Sequence, residues 1–363
     1  MNDRNCKPMH NVRWLQVKRY LIAIFTLAIL GFLIAALPLR GFAGGDVHSF
    51  GRNDYGELGH GDTIMRSTPT RIPSLSNAAA VAMGEFHSLV LLENGDVYSF
   101  GFNRNYGELG LGDRQTRLTP TRIPTLSSAM AVSAGGAHSL VLLSNGDVYS
   151  FGDALYGQLG IPSAGFFLST PARIDSLSGA TAIAAGGSHS LVLLANGDVY
   201  SFGRNYSGQL GLGDSDDRYV PEKIASLSGA TAIAAGDFHS LVLLANGDVY
   251  SFGANSSGEL GLGDSGNRYV PTRIASLSGA TAVAAGGYHS LVLLANGDMY
   301  SFGANFSGQL GLGDELDRHT PAKIAALVGA TSAAAGRMPS LVLLSDGQVH
   351  SFGFNSWGAA RTR

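Results

Sequence analysis

The sequence predicts an all-β protein: a radial β-propeller of four-stranded antiparallel blades, six to seven in number, preceded by one N-terminal hydrophobic helix. Three observations carry this expectation. A unit of 50 or 51 residues recurs along the chain, with its Ser-Phe-Gly segment at Phe50, Phe100, Phe151, Phe202, Phe252, Phe302 and Phe352; a fixed period of that size marks a solenoid, propeller or array. Within the units, Asn-Gly at Asn94, Asn145, Asn196, Asn246 and Asn296, and Asp346-Gly347 at the end, separates two apolar runs. That pair is the strongest short hairpin signal and predicts a two-residue turn with positive φ at both positions. Of the 50 glycines, 48 follow Ala43, a density that suits tight turns and close backbone approaches rather than long helices.

Residues 1–43 stand outside the repeat. Arg4, Lys7, Arg13, Lys18 and Arg19 precede an uncharged run of 18 residues from Tyr20 to Leu37. That length suits either the core of a signal peptide or a short membrane anchor. Either way, the basic flank directs the repeats across the membrane. Gly41-Phe42-Ala43 offers small residues at a spacing that signal peptidase accepts. The expectation is therefore a secreted, periplasmic or otherwise extracytoplasmic protein, the alternative being one anchored by an uncleaved N-terminal helix. The single cysteine, Cys6, precedes the run, so residues 44–363 hold no disulfide and no thiolate metal site.

The whole chain carries 24 basic and 27 acidic residues. Six of the basic residues and Asp3 lie in the leader, leaving 18 basic against 26 acidic residues, a net of −8. Such a body is a poor ligand for phosphate backbones, and no nucleic-acid partner is expected.

The unit Arg273 to Ala322 resolves into four strand-like pieces. Thr281 to Ala285 is a run of small residues suited to crowding around an axis. Ser290 to Leu294 is a continuous apolar run, as in a strand buried on both faces. Met299 to Phe302 follows the hairpin, and a long loop leads through Pro321 to a fourth strand near Ile324. The small-residue strand and the Leu-Val-Leu-Leu strand each occur six times, Ser-Phe-Gly seven times and Pro-x-x-Ile six times. Six blades close if the outer strand near Ile72 completes the sheet of residues 330 to 353. Seven leave one blade without its inner strands.

Gly-x-x-His-Ser-Leu, then Asn-Gly-Asp-Val-Tyr-Ser-Phe-Gly, then Asn-x-x-Gly-Gln-Leu-Gly-Leu-Gly-Asp and a Pro before an Ile together resemble the regulator of chromosome condensation repeat. The resemblance runs from Gly44 to about Gly358 and implies a propeller, typically of seven blades. It also implies, as one reading, guanine nucleotide exchange on a small GTPase.

Function is expected on one face. The loops from strand one to two and from three to four emerge together, and the repeats differ mainly there. The candidate binding residues are Phe86, Tyr106, Tyr156, Tyr206, Phe238, Tyr288 and Phe306, with arginines such as Arg52 and Arg204 among them. Aromatics and arginines are enriched at protein interfaces, but the same rings can simply cover the blade ends. Phe166 and Phe167, in the divergent third repeat, form an apolar patch or tuck against the next blade. His87, His138, His189, His239 and His289 occupy one register and are expected to make local hydrogen bonds at their turns, not to catalyse. Asp62, Asp113, Asp214, Asp264 and Asp314 read as turn formers. Asp214-Ser215-Asp216-Asp217 lacks the glycine and glutamate of a calcium loop. No catalytic motif, cofactor or metal site is expected. The leading expectation is a monomeric exported scaffold that binds a protein or surface ligand without catalysis. The alternatives are the exchange-factor reading and a propeller enzyme using the central channel.

Overall fold

The computed structural model describes residues 21–26 and 45–354. The repeats fold as an all-β propeller. In the first full blade β4 (Ala78–Met83) pairs with β5 (His87–Leu92), which pairs with β6 (Val97–Gly101), which pairs with β7 (Arg117–Arg122), all antiparallel. The same four-stranded order repeats as β8–β11 (129–173), β12–β15 (180–223), β16–β19 (230–273) and β20–β23 (280–323). A sixth blade, β24 (Ala330–Ala335), β25 (Pro339–Leu344) and β26 (Val349–Gly353), stops at its third strand.

The chain begins its repeats on a third strand, β2 (Asp46–Gly51), which pairs with the outer strand β3 (Arg66–Arg71). The outer strand near Ile72 therefore completes its own sheet and not that of residues 330 to 353. Beside β2 lies β1 (Leu21–Thr26), paired in parallel. This corrects the expected N-terminal helix for that segment. Leu-Ile-Ala-Ile-Phe-Thr is rich in residues that suit a strand, and it occupies the second-strand position that the repeat leaves vacant. The rest of the expected helix, the cleavage motif and the Trp357-Gly358-Ala359 ending lie outside the described residues. Six blades thus carry an inner strand, and a partial three-stranded sheet accompanies them.

Burial follows the predicted pattern. The second strands bury their first five residues in each of the five four-stranded blades. Phe100, Phe151, Phe202, Phe252 and Phe302 are fully buried. Each junction between four-stranded blades is one apolar cluster: Leu241, Leu243, Val249, Ile274 and Leu277 of one blade meet Ala280, Val283, Val292 and Phe302 of the next. Glycine makes the fit possible. Gly261 has φ +69°, and a Cβ there would lie 2.9 Å from the Phe302 ring. At the seam, Leu341 packs against the cluster containing Val47, Phe50 and Phe100.

The hairpin turns differ from the expected two-residue form. Gly95 has φ +83°, but Asn94 is not in the left-handed region. Gly95 N–H donates to Leu92 O and Leu92 N–H to Asp96 O, a three-residue loop with glycine at its left-handed end. The Asn94 side chain accepts from Asp96 N–H at 3.0 Å, so asparagine serves as a turn cap.

Candidate binding face

The two loop sets meet in space. Tyr55, from the loop between β2 and β3, lies 5.4 Å from Phe86, from the loop between β4 and β5, and 4.8 Å from Phe102. Phe86 and Phe102 stand 6.1 Å apart, and the Arg52 guanidinium sits 5.3 Å over Phe86. One to five blades further round, a second band forms. Arg204 lies between Tyr156 and Tyr206, at 4.7 Å and 4.5 Å. Tyr206 meets Phe238 at 6.0 Å, Phe238 meets Tyr288 at 6.1 Å, and Arg337 caps Tyr288 at 5.7 Å. Such ring and cation contacts add about 0.5–1.5 kcal/mol each beyond area burial.

The structure therefore brings Tyr156, Tyr206, Phe238 and Tyr288 into one band and Phe86 into another. Tyr106 lines a cavity with Phe86. Phe306 joins neither cluster among the described residues, and it is 52% exposed, as is Tyr206. The other five candidates are half-buried. Sequence reasoning missed Phe102. Its signal was position: it follows the Ser-Phe-Gly glycine, where Arg52 and Arg204 stand in other repeats. Phe166 projects at 74% exposure, whereas Phe167 is half-buried under Arg114 at 5.3 Å.

An ionic group lies on the same loops. Arg337 reaches Asp237 at 3.0 Å (Nε to Oδ2) and Glu85 at 3.5 Å (Nη1 to Oε1). Asp237 is 2% exposed. Burial pushes its carboxyl up to about 7, outweighing the pull of Arg337, and Glu85 pushes the same way. Successive inner loops are also tied by backbone bonds, Glu85 N–H to Gly136 O and Gly187 N–H to Gly236 O among them.

The histidines do not bond locally. His87 Nε2 meets Ser139 Oγ of the next blade at 2.9 Å, and Ser139 Oγ–H donates to Glu108 O. The pattern repeats from His138 to Ser190, His189 to Ser240, His239 to Ser290 and His289 to Ser340. Because each serine hydrogen goes to a carbonyl, Nε2–H must be the donor, which fixes the neutral tautomer. Desolvation lowers all five, to about 4 at His87 and His239 and about 3 at His138, His189 and His289. They are latches between blades.

The Leu-Gly-Asp aspartates are turn formers. Asp214 Oδ1 accepts from Asp216 N–H at 3.1 Å, and its other oxygen takes Arg218 at 2.5 Å. Asp217 accepts from Asn205 N–H at 2.7 Å, so the acidic cluster is engaged within its own loop.

Comparison with known proteins agrees with this geometry. The regulator of chromosome condensation (RCC1) repeat matches residues 44–91, 94–142, 145–193, 196–243, 246–293 and 296–343. The Arabidopsis thaliana ultraviolet-B receptor UVR8 is 36% identical over 183 residues, covering 49% of this chain and 41% of that protein. The match thus spans about two fifths of the relative's length. The crystal structure of human WBSCR16 superposes with a TM-score of 0.75 at 23% identity, covering 85% of this chain and 88% of that one, and shows the shared fold. Saccharomyces cerevisiae Prp20p superposes with a TM-score of 0.68 at 27% identity, covering 85% and 79%. The chain belongs to the regulator of chromosome condensation repeat family.

Proposed function

We propose that this propeller is a non-catalytic scaffold that binds a protein partner through the loop face bearing the two aromatic bands. The observation that carries the reading is the band Tyr156, Arg204, Tyr206, Phe238, Tyr288 and Arg337, a run of the residue types that anchor interfaces. Prp20p supports it, since its structure was reported with its binding properties to Gsp1p and histones. The unlike charges of that face, Arg337, Asp237 and Glu85, engage one another, which favours a binder over an enzyme of the central channel. The test is partner capture by immobilised wild-type protein and by a Tyr106→Ala, Tyr206→Ala, Phe238→Ala variant of equal thermal stability. Undiminished capture by the variant sinks the assignment of this face.

The second reading, nucleotide exchange on a small GTPase, is favoured by the Prp20p likeness. Accelerated nucleotide release from a small GTPase on adding the propeller would establish it. The net charge of −8 after the leader, from 18 basic and 26 acidic residues, speaks against a chromatin role. We also place the protein outside the cytoplasm, on the basic flank and apolar run of residues 4–37. N-terminal sequencing of protein from fractionated cells tests this, and a cytosolic protein retaining Met1 overturns it.

A further inference from the structure

On the same face a cavity of roughly 250 Å³ opens, lined by the aromatic residues Tyr55, Phe86, Phe102 and Tyr106 and by Glu85 and Glu108. We propose that this cavity is a recognition site for an alkylammonium cation, and that its occupant is a lysine side chain of the protein partner; the inference rests on the partner-binding reading above.

The loop that forms the cavity is longer than its counterparts. In the first and fourth sheets, the Leu58 N–H and Leu210 N–H bonds to Asn53 and Asn205 span five residues. The equivalent bond from Leu109 N–H to Asn103 spans six. The extra residue lengthens one backbone bond to the carboxylate behind it. Glu57 and Glu259 accept backbone N–H bonds at 2.7 Å and 2.8 Å, whereas Glu108 meets Tyr106 N–H at 3.4 Å. Glu108 is nonetheless buried. None of the ion pairs among the described residues includes it. A buried carboxylate without a cationic partner is costly. Burial pushes its carboxyl up to about 7, outweighing the backbone N–H groups of Glu108, Tyr106 and Gly107 that favour the charged form, and Asp153 pushes the same way as burial.

The chain itself shows what fits such a place. Two blades on, Arg204 fills the space between Tyr156 and Tyr206 with its guanidinium. The residue at that position in the cavity's own repeat is Phe102, so there the wall is aromatic; Arg52 lies over Phe86 and Arg337 reaches Glu85, which leaves Glu108 as the carboxylate open to a cation from outside. A lysine stem lies well along rings, and its ammonium gains from both ring faces and carboxylates once desolvated.

The test titrates the full-length protein with acetyl-Gly-Lys-Gly-amide and with its norleucine counterpart. The lysine peptide is expected to bind at least about tenfold tighter. Glu108→Gln should remove that difference. This variant is expected to fold, because glutamine already occupies the equivalent positions Gln158, Gln209 and Gln309. Phe102→Ala should weaken the lysine peptide while leaving the norleucine peptide unchanged. Equal binding of the two peptides, or a lysine preference that survives Glu108→Gln, overturns the site. Binding of tetramethylammonium without the lysine peptide overturns the lysine assignment in favour of a free amine. Partner capture lost in the Tyr206 and Phe238 variant but intact in Glu108→Gln overturns this site and leaves the wider face standing.

Discussion

Two kinds of junction hold the ring. Each of the five junctions between successive full-repeat blades has a histidine of one blade bonded to a serine of the next. Those between four-stranded blades add an apolar cluster with a fully buried phenylalanine. At the seam, Pro339 stands where the histidine would be, and the partial sheet β1 to β3 meets Leu341. There Arg337 reaches across to Glu85, and it also reaches back to Asp237, two blades earlier. The repeated junctions rely on neutral, desolvated groups whose geometry symmetry supplies at every step. The seam breaks symmetry and uses charge. Charge reaches further but tolerates less burial, which is why Asp237 is strained towards its neutral form.

The largest effect that separates the two comes from apolar packing. Phe252→Ala at a repeated junction should cost about 3–5 kcal/mol, because the ring is fully enclosed. Phe50→Ala at the seam should cost less, since that ring retains 6% exposure and has fewer full strands beside it. Urea midpoints of the two variants measure the difference. Equal losses would remove the distinction.

Acid should act next. The latch histidines have folded pKa values of about 3 to 4, against about 6.5 in an unfolded chain. Their folded values are lowered, so below about pH 6.5 the unfolded chain takes up protons that the fold excludes. Stability then falls with pH until the folded values are reached. At pH 5 each histidine withdraws about 2 kcal/mol. Glu108 and Asp237, both raised to about 7, act in the opposite sense and return part of this. The raised carboxyls of Glu57, Glu85, Asp153 and Glu259 return a little more. The five histidines outweigh the carboxyls, so a net loss of stability from pH 7.5 to pH 5 is expected. Hydrogen exchange should quicken at the repeated junctions before the seam, and a flat urea midpoint across that range would refute the latch chemistry.

A single latch is worth less. His239→Ala should cost about 1–3 kcal/mol, as Ser290 loses its donor and a cavity opens. It should also flatten the acid slope by one proton and leave partner capture intact. An unchanged melting temperature would count against the bond.

Much of the repeated junction was legible in the sequence and little of the seam was. The small-residue strands, the Leu-Val-Leu-Leu burial and the glycine turns are local properties written with a fixed period, so the blade could be read from Arg273 to Ala322 alone. The histidine's partner could not, since Ser290 belongs to the following unit and nothing in His239's own turn points to it. Asn-Gly gave the hairpin, but the residue before it joins the loop, so asparagine keeps an ordinary φ. The seam joins Phe50 to Leu341 and Glu85 to Arg337, pairs from opposite ends of the chain that share no repeat register. Of the face, the aromatic positions were visible as departures between repeats. The cavity was not, because it follows from one added residue between Gly101 and Gly107.

The smallest expected effect tests the seam's charge directly. Arg337→Met keeps the stem beside Gly287 and removes the guanidinium that lies over Tyr288 and is, among the described residues, the one cation paired with Asp237. Asp237 then has only burial and the Glu85 charge acting on it, both in the same direction, and its folded pKa rises further. A raised folded pKa means that the fold holds a proton the unfolded chain gives up, so the penalty appears as pH rises through the folded value. At pH 6 the carboxyl is mostly neutral, and the variant should lose about 1 kcal/mol; at pH 8 the loss should reach about 2 kcal/mol, kept modest by water at the half-exposed arginine. The repeated junctions show no such alkaline term, since their histidines are neutral throughout that range, and the wild type shows a smaller one because Arg337 holds the Asp237 value down to about 7. A loss that is equal at pH 6 and pH 8 would mean that Arg337 holds the seam by packing and not by charge.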